Sequence, residues 1–304
     1  MLSIAVGSLQ LMLDRGEQVG WFDSSEIVIE LIVSIAGFYY FFAHSLTTDE
    51  PFVRFELFKD RNFAAACLFM VMIGVSLFGT MALITPFTQN LLGYPILTAG
   101  FVLGSRGVGT LVAMMAVGRL LKFVEARTLV FCGLTLTAAT LYQMVSFTAD
   151  TSTQTIVVVG IIQGAGLGLV FVPLSTVAFG TLPGELRNSG TAMLTLVRNI
   201  GSSIGISMVI ANLTSTTTLM HARLAENITP FNNALQQASS MLSTATEQGR
   251  ALLELMLTQQ ATIIAYDNTF KLLMILTLIA LPLVLLIGSS RAKVSGPAEV
   301  HALD

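Results

Sequence analysis

This sequence predicts an all-helical membrane bundle, and three observations predict it. Apolar residues make up 54% of the 304 residues and charged ones only 11%, with a mean hydropathy of +0.78. A soluble domain of this size would carry charge on about a quarter of its residues. The apolar residues are also clustered into long uncharged runs, several of which reach the roughly 20 residues a helix needs to cross a bilayer. Finally, Lys and Arg gather in alternate connections between those runs, as they do when one set of loops is retained in the cytoplasm. A single large soluble core is the alternative, and the low charge content argues against it.

The runs divide the chain into one partial and seven full spans. Residues 1–12 read as the end of a membrane helix whose beginning lies outside the chain. MLSIAVGSLQLML has neither a basic start nor a small-residue cleavage site, so it does not read as a signal peptide. The next span is 26–44 (EIVIELIVSIAGFYYFFAH), followed by 62–86, 95–121, 128–149, 154–179, 189–213 and 269–289. Residues 45–61 (SLTTDEPFVRFELFKDR) mix charges around Pro51 and form the internal boundary. Before it lies a two-span unit, 1–44, and after it a six-span unit, 62–290, with a tail at 291–304. Residues 214–268 are long and polar, rich in Gln, Ala, Leu and Ser, with apolar residues at mixed three- and four-residue spacing. They predict one or two amphipathic helices, either folded against the bundle or offered as a docking surface for another protein.

Orientation follows from the basic residues. One set of loops holds nine: Arg54, Lys59, Arg61, Arg119, Lys122, Arg127, Arg187, Arg291 and Lys293. The other holds four, Arg15, Arg223, Arg250 and Lys271, three of them in or beside the long 214–268 loop. The positive-inside rule makes the first set cytoplasmic. The C-terminus is then inside, and 13–25, 87–94, 150–153 and 214–268 are outside.

Several function classes fall away. The basic residues are scattered, so nucleic acid is not an expected partner. Cys67 and Cys132 both fall in apolar runs, which argues against a disulfide framework. His44, His221 and His301 have no metal-ligand spacing, and no Gly-rich loop ends in GK[ST]. No catalytic constellation and no cofactor motif emerges, so an enzyme is not expected.

Small residues recur at helical spacing. Gly160, Gly164 and Gly168 form a double GxxxG, Gly100 and Gly104 another, and Gly201 and Gly205 a third. Helices in lipid gain little hydrophobic energy by pairing, so close backbone approach through glycine supplies packing instead. These glycines are expected at tight helix contacts, at flexing points of a moving bundle, or at both. Pro173 in GLGLVFVPLSTVAF is expected to kink its span, and Pro282 lies within the last one.

The turn GRLLKFVEAR (118–127) obeys the inside rule through its basic residues. It also resembles the loop after the second helix of each half in the major facilitator superfamily, Gly-x-Leu-x-Asp-Arg-x-Gly-Arg-Arg. Gly118, Leu120 and Arg127 match, Arg119 adds charge, and Lys122 and Phe123 stand where Asp and Arg belong. This is the degenerate second-half form. LQLMLDRGEQVGWFDSSEI (9–27), FVRFELFKDRNF (52–63), SRGVGTLVAMMAVGRL (105–120), IIQGAGLGLVFVPLSTVAF (161–179), LVRNIGSSIGIS (196–207) and QQATIIAYDNTF (259–270) resemble, in order, the fourteen-span drug:proton antiporters of the EmrB/QacA family. The likeness is closest to the EmrB-like branch. It covers the whole chain and aligns to the second half only: part of the extra helix pair, then the C-terminal six-helix bundle. The first six spans, with the family's antiporter signature, are not in this sequence.

The resemblance implies proton-driven efflux of small hydrophobic toxic compounds by rocking of two halves across an inner membrane. The implied partners are the lipid bilayer, an N-terminal half, a periplasmic adaptor of the EmrA kind and an outer-membrane channel. Two other outcomes stay open: export of a different cargo, such as a siderophore or metabolite, and a truncated membrane protein that transports nothing.

Two arginines sit inside spans. At about 1.5 Å per residue, Arg106 lies roughly 16 Å from the outer end of its span and roughly 22 Å from the inner. Arg198 lies roughly 14 Å from the inner end and roughly 22 Å from the outer by the same rise. Leaving an arginine in lipid costs about 2.5–3.5 kcal/mol even on the lenient insertion scale, so each should face a polar interior or a partner. Arg106 is expected either to bond carbonyls opened by neighbouring glycines or to line a cavity and pair with an anionic group. Gln163 and Asn199 fall at similar depth. The expected cavity residues are therefore Arg106, Gln163, Arg198 and Asn199, with Gln89 and Asn90 near the outer mouth. The interiors of 62–86, 95–121, 128–149, 154–179 and 189–213 hold no Asp or Glu, so the proton carrier is expected in the other half.

Overall fold

The computed structural model describes residues 1–48, 55–226, 228 and 246–287. The described residues form eight α-helices joined by turns and short 3-10 or π segments, with no strand among them: α1 (Leu2–Arg15), α2 (Ser25–Thr47), α3 (Arg61–Pro86), α4 (Ile96–Leu120), α5 (Ala126–Met144), α6 (Thr153–Gly180), α7 (Arg187–Ala225) and α8 (Glu247–Leu283). Side-chain oxygens cap three of the starts, each satisfying an otherwise orphaned N–H. Asp60 accepts from the amides of Asn62 and Phe63, Ser152 from Thr155 and Thr246 from Gly249.

Helices α3 to α8 form a ring. α4 packs on α6, α6 on α5, α5 on α8, α8 on α7 and α7 on α3, while α3 also touches α6 and α8. α1 and α2 make an antiparallel hairpin that leans on α7 through α1. Gly37 of α2 lets the pair close, because an added Cβ would lie 2.9 Å from that of Ala5. Ser34 donates to the Ala5 carbonyl at 3.0 Å, and Arg15 pairs with Glu26 across the turn. The opposite face of α2 exposes Ile29, Ile32, Ile35, Tyr39 and Tyr40. Such a face is stable only against lipid or another protein.

At the end of the bundle predicted to lie outside, Phe87, Phe147, Tyr266 and Phe270 form a buried aromatic cluster with ring centroids 5.2–6.5 Å apart. It ties α3, α5 and α8 together. Tyr94 and Thr153 share a 2.8 Å hydroxyl contact beside it.

Two helices run past the predicted span bounds. α7 continues beyond 213 to Ala225, and α8 begins at Glu247, ahead of 269, so the 214–225 and 247–268 parts of the expected amphipathic segment are helical and continuous with the neighbouring spans. NLTSTTTLMHARLA is polar but contains neither Gly nor Pro, so hydropathy ends there while the helix does not. The 39 residues of α7 reach roughly 58 Å, nearly twice the ~30 Å hydrocarbon thickness. The two extensions face each other, and His221 Nε2 meets Glu254 Oε1 at 2.8 Å. By length and composition six of the described helices are apolar enough to cross a membrane. α5, within the predicted span 128–149, has 19 residues and is shorter and more polar than those six. Thr128, Thr135, Thr137 and Thr140 dilute its hydropathy, and it lies between α6 and α8. The parts of the long loop at 227 and 229–245, the linker residues 49–54 and the tail lie outside the described residues.

The charge asymmetry has a direct check. In a background without Cys67 and Cys132, single cysteines replacing the exposed Ser152 and Gln248 are expected to react with an impermeant maleimide from outside intact cells. Cysteines replacing Glu56 and Glu185 are expected to react only after permeabilisation. Reversed labelling at two of these sites overturns the orientation.

Candidate substrate-facing site

Two glycine-lined helix pairs hold the candidate residues in place. Along α6, Gly160, Gly164 and Gly168 lie on α4. A Cβ at Gly160 would sit 2.8 Å from Ser105 Oγ, one at Gly168 would sit 2.7 Å from Ala113 Cβ, and one at Gly164 would collide with the Arg106 carbonyl oxygen. Gly109 of α4 returns the contact against the Ile161 backbone. In the second pair, Gly201 and Gly205 of α7 lie against the backbones of Val71 and Val75, and Gly74 of α3 lies against Arg198 and Ser202. Gly100 and Gly104 are different: a Cβ at either would meet nothing within 4 Å. Their expected helix contact is not made among the described residues, because they fall on the exposed side of α4 with Phe101, Val108 and Met115.

The α4–α6 contact turns Arg106 inward. Its side chain is 9% exposed and that of Gln163 only 1%. Both line a small cavity of about 20 Å³ with Ile84, Val102, Met144 and Ile156. Arg106 Nη1 donates to the Leu77 carbonyl at 3.4 Å. Its Nε and Nη2, and Gln163 Nε2, have no hydrogen-bond partner. Thr110 links the same two helices, donating to the carbonyls of Arg106 and Gly164, each at 3.0 Å.

Arg198 occupies a separate place. It is half-buried in a partly open cavity of about 180 Å³ between α3, α6 and α7, lined by Met70, Phe171, Ser175, Phe179, Thr191 and Thr195. Its guanidinium carbon lies 6.0 Å from the centroid of the Phe171 ring, within cation–π range. Asn199 is exposed next to it.

Gln89 and Asn90 lie in a π-turn, Phe87–Leu91, that follows Pro86 at the end of α3. Asn90 borders an open groove of about 650 Å³ with Glu254, Gln259 and Tyr266 of α8, and Gln89 does not. The six expected cavity residues therefore do not converge on one pocket among the described residues. Arg106 and Gln163 come together, while Arg198 and Asn90 belong to different openings.

The remaining expected residues are structural or exposed. Pro173 is buried within α6, which runs through it helically. Gly118 and Arg119 end α4 and Arg127 opens α5; neither arginine has an ion-pair partner among the described residues. Cys67 and Cys132 are free thiols. No group of three His, Cys, Asp or Glu could hold a metal among the described residues. Phe171 and the Leu77 carbonyl were not foreseeable, since no local sequence signal pairs an aromatic ring or a backbone oxygen with a distant arginine.

Comparison with known proteins agrees with this architecture. The chain is 29% identical over 280 residues to the multidrug export protein EmrB of Escherichia coli K12, covering 89% of this chain and 54% of EmrB. It is 28% identical over 287 residues to the fatty acid resistance protein FarB of Neisseria gonorrhoeae, covering 93% and 57% respectively. The chain thus spans a little over half the length of these curated relatives. A crystal structure of a bacterial homolog of the human lysosomal transporter Spinster, inward-facing and unoccupied, superposes with a TM-score of 0.51 at 17% identity over 93% of this chain and 69% of that one. That likeness supports the fold alone. The model of the Major Facilitator Superfamily matches residues 64–222; the chain belongs to this superfamily of membrane transporters, and not to an enzyme family.

Proposed function

We propose that this chain supplies the C-terminal half of a proton-driven exporter of small amphipathic compounds in a bacterial inner membrane. The observation that carries this reading is the similarity of nearly the whole chain to a little over half the length of a multidrug export protein and of a fatty acid resistance protein. The partly open cavity between α3, α6 and α7 suits such cargo. Met70, Phe171 and Phe179 offer an apolar and aromatic wall, and Arg198 offers a cation that favours a carboxylate or an electron-rich oxygen. Alternating access needs a second bundle to rock against this one. The exposed glycine face of α4 and the open side of α7 are the surfaces that bundle would meet. The proton carrier belongs to that second bundle, and a periplasmic adaptor and outer-membrane channel complete the export route.

The test is dye efflux from a pump-deficient bacterium expressing the gene in its native reading frame, beside one expressing residues 1–304 alone. The native frame is expected to clear an amphipathic dye, with loss of clearance on adding an uncoupler, and residues 1–304 alone are expected to clear none. Clearance by residues 1–304 alone refutes the half-transporter reading. No clearance by the native frame refutes export.

A further inference from the structure

Arg106 carries a permanent positive charge at a position nine-tenths buried among apolar side chains. An unpaired buried charge is among the most destabilising arrangements a protein can hold. Among the described residues no carboxylate approaches within ion-pair distance; the pairs there are Arg15–Glu26 and His221–Glu254, both remote in sequence from α4. Among the described residues the one acceptor for the guanidinium is the Leu77 carbonyl, at the long distance of 3.4 Å. Three donors remain without a protein partner, Nε and Nη2 of Arg106 and Nε2 of Gln163. Both side chains border the same cavity of about 20 Å³.

That combination specifies an occupant. The fully buried atoms without a partner at this site are all donors, so the occupant must accept from them. The space holds about one small sphere, so an organic acid or a drug does not fit. A water molecule would satisfy hydrogen bonds but leave the charge uncompensated, whereas a monatomic anion does both. We propose that Arg106 and Gln163 form a binding site for a single halide ion, chloride under ordinary conditions, which neutralises the interior of the α3–α6 bundle. The site is distinct from the opening at Arg198 and does not depend on the transport activity of the whole protein.

The test uses the 304-residue chain in detergent micelles with Cys132→Ser, so that a thiol-reactive dye reports only the buried Cys67 as the fold opens on heating. Sodium chloride is titrated against sodium gluconate, an anion too large for the cavity, at constant ionic strength. A ligand that binds only the folded state raises the midpoint and saturates. The expected result is a saturable rise of several degrees in chloride, reproduced by bromide and absent in Arg106→Gln. Gln163→Leu keeps the charge and removes one donor. It is expected to fold and to need roughly tenfold more chloride for half the rise, the order of loss for a hydrogen bond to a charged group, so it carries the test should Arg106→Gln not fold. Equal midpoints in chloride and gluconate overturn the proposal and leave a water site. An identical chloride rise in the parent and in the variants also overturns it, because the effect then arises elsewhere on the protein.

Discussion

Gly164→Leu is expected to remove most of the folded protein, whereas Gly104→Leu, on a helix with the same glycine spacing, is expected to leave it. At Gly164 the first carbon of any side chain collides with the Arg106 carbonyl oxygen and lies 3.0 Å from the Thr110 amide nitrogen. Both obstacles are backbone, so no rotamer change relieves them, and α6 must move off α4. Overpacking of this kind costs about 1–3 kcal/mol when side chains can adjust, and here they cannot. The displacement also breaks the hydrogen bond from Thr110 to the Gly164 carbonyl. With several kcal/mol lost from a stability of about 5–15 kcal/mol, the recovered monodisperse fraction should fall severely. Gly104 faces open space, and leucine there adds one more apolar group to a side that already carries Phe101 and Val108. Comparable recovery and unfolding midpoints for the two variants would show that α4 and α6 do not meet through Gly164.

The contrast between these glycines shows how far the sequence was legible. A four-residue spacing states that residues share a helix face, and the faces 160–164–168 and 201–205 do meet neighbours. It does not state which way the face turns. In water, polar residues would mark the outer side of a helix. In lipid both sides can be apolar, so periodicity loses that information. That Arg106 and Arg198 fall inside long helices was likewise legible from residue counts. Their directions were not, because they depend on which neighbour each helix chooses. Gln163 is the exception, since an uncharged polar residue in an otherwise apolar span has few places to go except inward. Hydropathy marks where an apolar run stops rather than where a helix stops. It located the apolar part of α7 but did not show that the helix runs on unbroken to Ala225, where α8 lies alongside.

Arg198→Glu is expected to change cargo preference more than any other single substitution in the export reading. In the native reading frame it should cut efflux of an acidic amphipathic dye at least tenfold and raise that of a cationic one, both normalised to membrane abundance. Arg198 is half-buried beside Phe171, with the ring 6.0 Å away and an opening of about 180 Å³ in front. At such a partly dry site an ionic hydrogen bond is worth about 1.5–3 kcal/mol, and each 1.4 kcal/mol is a factor of ten in rate. Arg198→Lys retains the charge but not the planar group that lies over the ring, so the acidic dye should be exported at an intermediate rate. Phe171→Leu should slow both dyes, because it removes apolar wall and ring together. These variants separate a cargo contact from a strut. A strut would lower abundance and affect both dyes alike, whereas a cargo contact shifts the ratio of the two at constant abundance. An unchanged ratio in Arg198→Glu, with the protein present at parental levels, would remove Arg198 from the cargo path and leave the opening between α3, α6 and α7 without a role in selectivity.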